Sequence, residues 1–206
     1  KNTFDTIYHE HLDYHALFPI AKFLKKFNLK LFNFKITNAQ GGALRIYASQ
    51  NPPFINSKKI NEKIKKEKND YQLFKITTYN KFKKRVDNCK IKLKKILMSF
   101  SDKKLVISGY GAAAKTTTLL NYFNLSNSNQ IKKIFDDNIL KQGLYLPGTN
   151  IKILNPKKLD FKNVDIIIIF AWNYFDTIIK NLKKNKSYKE KNVRFLIPFP
   201  NPKIIK

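Results

Sequence analysis

The feature that most restricts the fold is an alternation of apolar runs with helix-like stretches in the second half of the chain. The runs are nearly continuous in Ile, Leu, Val and Phe, which is typical of strands buried on both faces of a parallel sheet. The pattern predicts strands over residues 105–109, 131–135, 150–153, 164–170 and 193–197, and helices over 112–123 and 174–182. It therefore predicts an α/β fold, a Rossmann-like parallel sheet with helices on both faces.

The first half of the chain has a different pattern. Two strand-like runs, residues 29–36 and 44–48, are joined around Gly41-Gly42 and predict an antiparallel pair. An amphipathic stretch over residues 18–27 precedes them. Residues 57–100 carry apolar side chains at helical spacing, which predicts a short helix and then a long one.

These patterns divide the chain into three parts. Pro52-Pro53 breaks the chain after the strand pair, and the alternation of strands and helices begins after Asp102. We expect an amino-terminal region over residues 1–52, a helical connector over 53–101 and the Rossmann-like domain over 102–206.

The net charge of +27 allows two interpretations. A surface crowded with cations is typical of nucleic-acid binding, because bound phosphates release counterions. However, only Arg45, Arg85 and Arg194 are arginines, the residue that reads bases and phosphates in bidentate fashion, and the lysines are spread along the chain. We therefore expect no nucleic-acid partner, although the charge favours an anionic substrate such as a sugar pyrophosphate.

The sequence also argues against membranes and thiol chemistry. The longest apolar run, residues 166–172, is far shorter than the roughly 20 residues that cross a bilayer, and no charged-then-apolar leader opens the sequence. The single cysteine, Cys89, excludes an internal disulfide and a Cys-rich zinc cluster. We expect a soluble, cytoplasmic protein with no membrane partner.

The histidines are concentrated in one short segment near the start. All three lie within seven positions, among phenols and carboxylates: Tyr8, His9, Glu10, His11, Asp13, Tyr14 and His15. A zincin helix needs His-Glu-x-x-His, but Asp13 stands four positions after His9, so we expect no metal here. Two interpretations remain open: a general acid/base cluster, because imidazole titrates near neutral pH, or a polar helix start with solvent-facing histidines.

A glycine-rich loop, Gly-Tyr-Gly-Ala-Ala-Ala-Lys-Thr over residues 109–116, follows a predicted strand and opens a predicted helix. Backbone N–H groups in this context bind phosphate. Ala114 completes a dinucleotide-type pattern, and Asp136 or Asp137 stands where an acidic residue would bind a ribose. A Walker loop is excluded because Ala114 replaces the glycine before Lys115 and Asp165 precedes its strand. The alternative is that the glycines only permit tight strand-helix packing.

Taken in order, five groups of residues resemble one family. They are Tyr8-His9-Glu10-His11 with Tyr14; Gly41-Gly42-Ala43-Leu44-Arg45; Tyr110-Gly111-Ala112 with Lys115 and Thr118-Leu119-Leu120-Asn121; Lys141-Gln142-Gly143 with Pro147-Gly148-Thr149; and Trp172-Asn173. The chain resembles, over nearly its whole length, the bacterial sugar C-methyltransferases of deoxysugar biosynthesis.

The resemblance implies an architecture. Members of that family have an amino-terminal zinc module, a class I S-adenosylmethionine domain and a Rossmann-like carboxy-terminal domain. We expect this chain to be the carboxy-terminal portion, in which residues 1–52 hold the last antiparallel strand pair of the methyltransferase domain. The donor site would then lie mostly in an upstream domain and zinc only in an upstream module, so the fragment alone is expected to be inactive.

The resemblance also implies a reaction on a nucleotide-linked 4-keto-deoxysugar. A ketone at C4 acidifies the C3 proton, a base removes it, and the enolate attacks the sulfonium methyl group of S-adenosylmethionine. His11 is the candidate base and Glu10 would orient it. Tyr8 or Tyr14 would donate a hydrogen bond to the enolate oxygen.

For the nucleotide diphosphate sugar, the resemblance implies a site on the Rossmann-like domain. The candidate substrate-binding residues are Gly109, Tyr110, Gly111, Ala112, Lys115, Thr116, Trp172 and Asn173. We expect Lys115 to be an exposed lysine that contacts phosphate. Two other classes remain: an NAD(P)-binding oxidoreductase that uses the same loop, and a nucleotide-sugar-binding module without activity of its own.

Overall fold

The computed structural model describes residues 3–39, 42–126, 130–185, 188, 191 and 193–205. It contains two compact units. One consists of His11–Lys84, and the other of Lys1–Glu10 together with Arg85–Lys206. The chain therefore passes from one unit to the other inside the histidine-rich segment, between Glu10 and His11, and again inside a long helix, between Lys84 and Arg85.

The His11–Lys84 unit contains helix α1 (Leu17–Lys25), strands β1 (Lys30–Thr37) and β2 (Ala43–Ser49), helix α2 (Ser57–Lys65), a π-helical turn (Lys66–Asp70) and the start of helix α3 (Ile76–Asp102). The strands pair antiparallel, as the sequence predicts. Leu17, Phe34 and Ile60 form the small core of this unit, so both short helices and β1 contribute one buried side chain each. Gly41, in the predicted turn, lies outside the described residues.

A buried carboxylate fixes the start of α1. The helix begins after Ala16, which has no side chain able to cap it. Glu67, in the π-helical turn, accepts hydrogen bonds from the backbone N–H groups of Leu17 (2.9 Å) and Phe18 (3.0 Å). Its side chain is only 2% exposed. Because the first N–H groups of a helix have no partner within it, Glu67 supplies the cap that the local sequence lacks.

The second unit is built around a six-stranded sheet. Its elements are β3 (Ile107–Tyr110), α4 (Ala114–Tyr122), β4 (Ile131–Phe135), β5 (Lys152–Leu154), β6 (Ile166–Ile169), α5 (Phe175–Leu182), β7 (Arg194–Ile197) and β8 (Lys203–Ile205). The strand order is β5-β4-β3-β6-β7-β8, and all neighbours are parallel except β7 and β8. This confirms the predicted α/β fold with a mostly parallel sheet.

The core lies between this sheet and the surrounding helices. All four residues of β6 are buried, which explains why that run is continuously apolar. Helix α3 also buries a stripe at helical spacing in this unit: Val86, Cys89, Leu93, Leu97 and Phe100. Burial raises the pKa of the Cys89 thiol to about 11, and its Sγ lies 3.8 Å from the carbonyl oxygen of Pro198.

The sequence prediction and the structure differ at the ends of elements. The strand over residues 164–170 is predicted longer than β6 because the flanking Val164 and Phe170 are also buried. β3 begins two residues later than predicted, at Ile107, because Leu105 is only half-buried and Val106 is exposed. The antiparallel edge strand β8 is not predicted, since three residues after a proline give too little periodicity. Within the described ranges, no helix has the length and apolar character that crossing a bilayer would require.

Candidate active site

The sheet reverses its strand order between β3 and β6, next to each other at its centre. Open α/β sheets bind ligands at such a switch point, outside the carboxyl ends of the strands. Gly111 follows β3 and Ala171 follows β6, and the two backbones approach closely. A Cβ atom on Gly111 would lie 2.8 Å from the Cβ of Ala171, and its φ of +94° also favours glycine. The backbones therefore meet directly at the switch point.

The glycine loop is closed by the chain's own groups. The N–H of Ala112 donates to Asp136 Oδ2 (2.6 Å), which lies at the carboxyl end of β4. The hydroxyl of Thr116 donates to the carbonyl of Gly111 (2.7 Å) and accepts from the N–H of Ala113 (3.3 Å). Thr116 is 1% exposed. Both hydrogen bonds of its hydroxyl support the loop itself, and a carboxylate already takes the Ala112 amide that a phosphate would use.

Both acidic residues after β4 are also engaged within the protein. Asp136 accepts at its second oxygen from the N–H of Asn138 (2.8 Å), and Asp137 accepts from the hydroxyl of Tyr110 (2.8 Å). Burial, and then the bond to Asp137, raise the pKa of the Tyr110 phenol. Because these carboxylates have protein partners, the geometry does not favour the ribose contact that an NAD(P) site would need.

The Lys141-Gln142-Gly143 group reinforces the same loop. The Lys141 ammonium donates to the Ala112 carbonyl (2.9 Å) and lies 3.9 Å from Asp136. The Gln142 side chain donates to the Asp136 carbonyl (3.0 Å). Gly109, within β3, is enclosed by packing, since a Cβ there would lie 2.7 Å from Ile134. The structure thus brings together two of the residue groups that resemble the family, the glycine loop and Lys141-Gln142-Gly143. Lys141 bonds directly to the loop, and Gln142 bonds to the carbonyl of Asp136, the residue that holds the Ala112 N–H.

The prediction that Lys115 is exposed is wrong. Lys115 is 7% exposed, and its Nζ has no hydrogen-bond partner among the described residues. The ammonium lies 5.6 Å from the centre of the Trp172 ring. The physical reason is that Trp172 and the start of the chain cover this face of α4, which the local sequence around Lys115 does not reveal.

Asp5 is a functional candidate that sequence reasoning missed. It lies in a 3-10 turn, Phe4–Thr6, and is 1% exposed. Its Oδ2 accepts a hydrogen bond from Trp172 Nε1 (2.7 Å), just after β6. Burial raises the pKa of Asp5, while the Trp172 bond and the charge of Lys115 act in the opposite direction. A single Asp ahead of a histidine-rich run gives no sequence signal of this kind.

The predicted catalytic residues fall on both sides of the unit boundary. In the unit that contains the sheet, Tyr8 is half-buried, while His9 and Glu10 are exposed. His9 Nε2 lies 3.9 Å from Glu10 Oε1. In the other unit, the Tyr14 hydroxyl lies 3.5 Å from His11 Nδ1. The structure therefore gives each of the two histidines a polar neighbour, a carboxylate for His9 and a phenol for His11.

The remaining predicted residues are placed as follows. Trp172 is half-buried and Asn173 is exposed, both in a 3-10 turn after β6 at the carboxyl edge of the sheet. Among the residues that the structure describes, no group of three or more His, Cys, Asp or Glu side chains is arranged to hold a metal ion.

Comparison with known proteins agrees with the sequence pattern. Residues 38–200 match the family described as C-methyltransferase C-terminal domain. The C-methyltransferase NovU of Streptomyces niveus is 27% identical over 205 residues, which is 100% of this chain and 48% of that protein. The chain thus spans about half the length of the curated relative that it matches.

Proposed function

Because this chain belongs to the C-methyltransferase family, we propose that it is the carboxy-terminal part of an enzyme that methylates a carbon of a nucleotide-linked 4-keto-deoxysugar. The methyl donor in this proposal is S-adenosylmethionine, bound mostly by parts of the enzyme upstream of this chain. The enzyme would work in the cytoplasm, and its many surface lysines would be solvated without binding a nucleic acid.

One observation carries the proposal. Lys1–Glu10 belong to the same compact unit as the sheet, and Asp5 of this stretch is bonded to Trp172 at the carboxyl end of β6. Tyr8 and Glu10 follow only a few residues later. This contact supports a catalytic segment that begins near the edge where open α/β sheets bind small molecules.

The chemistry assigned to these residues is proton removal and stabilisation of charge. His11 would accept the C3 proton of the 4-keto sugar, which leaves an enolate with its negative charge on the C4 oxygen. Tyr8 or Tyr14 would donate a hydrogen bond to that oxygen, and Glu10 would orient or charge-pair the base. The enolate carbon would then bond to the sulfonium methyl group as its C–S bond breaks, which would release S-adenosylhomocysteine and restore the C4 ketone.

The nucleotide diphosphate would bind at the exposed part of the same edge. Ala113 and Ala114, at the start of α4, are half-buried, and Asn173 is exposed. The start of a helix attracts phosphate through its N–H groups and its dipole. Lys115, which is 7% exposed and lies against the Trp172 ring, would hold this edge in shape without contacting the phosphates.

Proton exchange tests the proposal without a methyl donor. In deuterated water, the complete enzyme, with the domain upstream of this chain restored, should exchange the C3 proton of a thymidine-diphosphate 4-keto-6-deoxysugar, followed by NMR, faster than the uncatalysed rate. Calorimetry should show binding of that sugar nucleotide. No exchange and no binding, or tight binding of NAD instead, would overturn the proposal in favour of another class.

A further inference from the structure

The stretch ahead of Tyr8 is packed against the sheet-containing unit by an aromatic cluster. The ring of Phe4 stacks on Phe123, at 5.5 Å between centroids and 7° between planes. It also contacts Tyr122 at 4.9 Å and, edge-on, Phe199 at 5.6 Å. Phe4 is 5% exposed. This aromatic packing holds the Phe4–Thr6 turn against the unit, but it constrains the orientation of the turn less strictly than a hydrogen bond would.

Asp5 adds the directional contact. Its hydrogen bond to Trp172 joins residues 167 positions apart in the chain. The carboxylate is 1% exposed and the indole is half-buried. A hydrogen bond to a charged acceptor is about twice as strong as a neutral one. Trp172 also contacts Phe199, with 6.2 Å between ring centroids, so its indole is held on a second side.

Lys115 provides the counter-charge. Its Nζ and the second oxygen of Asp5, Oδ1, are both buried and have no hydrogen-bond partner among the described residues. Burying one of these charges alone would be costly, and opposite charges in a shared low-dielectric environment reduce that cost. The charge of Lys115 opposes the rise that burial causes in the pKa of Asp5. A lysine that is only 7% exposed is poorly placed to be the main ligand of a pyrophosphate.

We propose that Asp5 is a positioning residue that fixes the Tyr8-His9-Glu10 part of the catalytic segment to the switch point of the sheet, through Trp172 and the counter-charge of Lys115. Asp5 itself touches no reacting atom. Its effect on the reaction rests on the proposed function, whereas its hold on the segment does not.

The segment's attachment can be measured directly by amide hydrogen exchange of the full 206-residue chain. The N–H groups of Thr6, Ile7 and Tyr8 are bonded to carbonyls of residues 3, 4 and 6. In Asp5→Ala, a peptide over residues 3–10 should exchange about tenfold faster or more, from loss of a charge-assisted bond. Peptides from β3 and β6 should keep their protection.

Conservative and matched variants separate positioning from general stability. Asp5→Asn retains an oxygen acceptor for Trp172, so it should recover part of the protection that alanine loses. Trp172→Phe keeps a smaller aromatic ring and removes the N–H donor, and should loosen the same peptide. Asp165→Asn is the control, because Asp165 also binds a backbone N–H (Val106, 2.8 Å) and a lysine (Lys191, 2.8 Å) but does not contact the segment.

The second measurement is the exchange of the sugar C3 proton. Asp5→Ala should lower the maximal rate of proton exchange and leave the half-saturating concentration of the sugar nucleotide unchanged. Asp5→Asn should recover part of that rate. Asp165→Asn should exchange the proton at the parental rate. Parental amide exchange in Asp5→Ala would overturn the inference, and so would a loosened segment with an unchanged proton-exchange rate. If the parent itself exchanges no sugar proton, the proposed function fails, and amide exchange alone decides whether Asp5 holds the segment.

Discussion

The two ends of the histidine-rich segment are each held by a buried carboxylate, and the two carboxylates use different partners. Asp5, in the sheet-containing unit, binds the side chain of Trp172. Glu67, in the His11–Lys84 unit, binds the backbone N–H groups of Leu17 and Phe18. The contact of Asp5 is lost when either Asp5 or Trp172 is replaced. The contact of Glu67 is lost when Glu67 is replaced, but its backbone donors remain unless proline replaces Leu17 or Phe18. The Asp5 contact is therefore the more sensitive of the two to substitution elsewhere in the chain.

Replacing histidines in the two parts of the histidine-rich segment, before and after the boundary between Glu10 and His11, should separate them by function, and this change should be the strongest. In the complete enzyme, His11→Asn should keep substrate affinity but lower turnover by about 10²- to 10⁴-fold, the range typical of losing a general base. His9→Asn is the matched control from the other half and should cost much less. The readout is turnover together with exchange of the C3 proton in deuterated water. Parental exchange in His11→Asn would assign the base to another group.

The next effect isolates the backbone-binding carboxylate. Glu67→Ala should lower the free energy of unfolding by about 2–3 kcal/mol, because the buried N–H of Leu17 and the partly buried N–H of Phe18 lose a charged acceptor. Glu67→Gln keeps one acceptor and should cost less. Glu62→Ala, an exposed glutamate in the same unit, is the control and should change little. Urea denaturation measures all three, and equal midpoints for Glu67→Ala and Glu62→Ala would contradict the cap.

A smaller effect concerns the switch point of the sheet, where the backbone of Gly111 lies close to Ala171. Gly111→Ala should be about 1–2 kcal/mol less stable than Gly143→Ala, because its Cβ would overlap Ala171. Gly143 is a matched control: its φ is +90°, close to the +94° of Gly111, but nothing lies within 4 Å of a Cβ there. Because both substitutions cause similar backbone strain, the difference between their thermal stabilities reports the overlap with Ala171. Equal losses would mean that the backbones at the switch point can separate freely.

The smallest effect is a contrast in pH dependence between Asp5 and Asp165. The pKa of Asp5 is raised, mainly by burial, so the folded state binds that proton more tightly. Its favourable contribution is present below pH 3.8 and is lost as pH rises through the folded pKa. The bond to Lys191 lowers the pKa of Asp165, so its contribution is present above pH 3.8 and lost as pH falls through the folded pKa.

Asp5→Asn and Asp165→Asn should consequently change the pH profile of stability in opposite directions. Removing Asp5 should lessen the decline of stability above pH 3.8, and removing Asp165 should lessen the decline on acidification. Chemical denaturation between pH 3 and 6 measures both slopes. Parallel profiles for the two variants would show that Asp5 is not titrating in a buried environment.

Much of the fold is predictable from the sequence because burial on both faces leaves continuous apolar runs. The runs at residues 131–135 and 166–169 correspond to β4 and β6, the second inside a longer predicted strand. The family and the parallel sheet also follow from the residues. β8 is missed because Pro198, Pro200 and Pro202 precede it and its three residues give too little periodicity.

The site is less predictable because its contacts join distant parts of the chain. Lys115 looks exposed when only its neighbours in sequence are considered, since nearly all lysines are. Its burial depends on Asp5 and Trp172, on opposite sides of it in the sequence. Glu67 stands in a lysine-rich stretch and resembles an ordinary surface carboxylate. Local periodicity carries no information about either contact.

The buried thiol of Cys89 has a practical consequence. It is the chain's one cysteine, it is 5% exposed, and its pKa is raised to about 11. Alkylating reagents attack the thiolate, so in the native protein at neutral pH they should find almost no reactive group. Alkylation by a small haloacetamide would then proceed only when α3 transiently detaches from the sheet. The rate of labelling at this one atom therefore reports how often the core opens, and it requires no engineered probe.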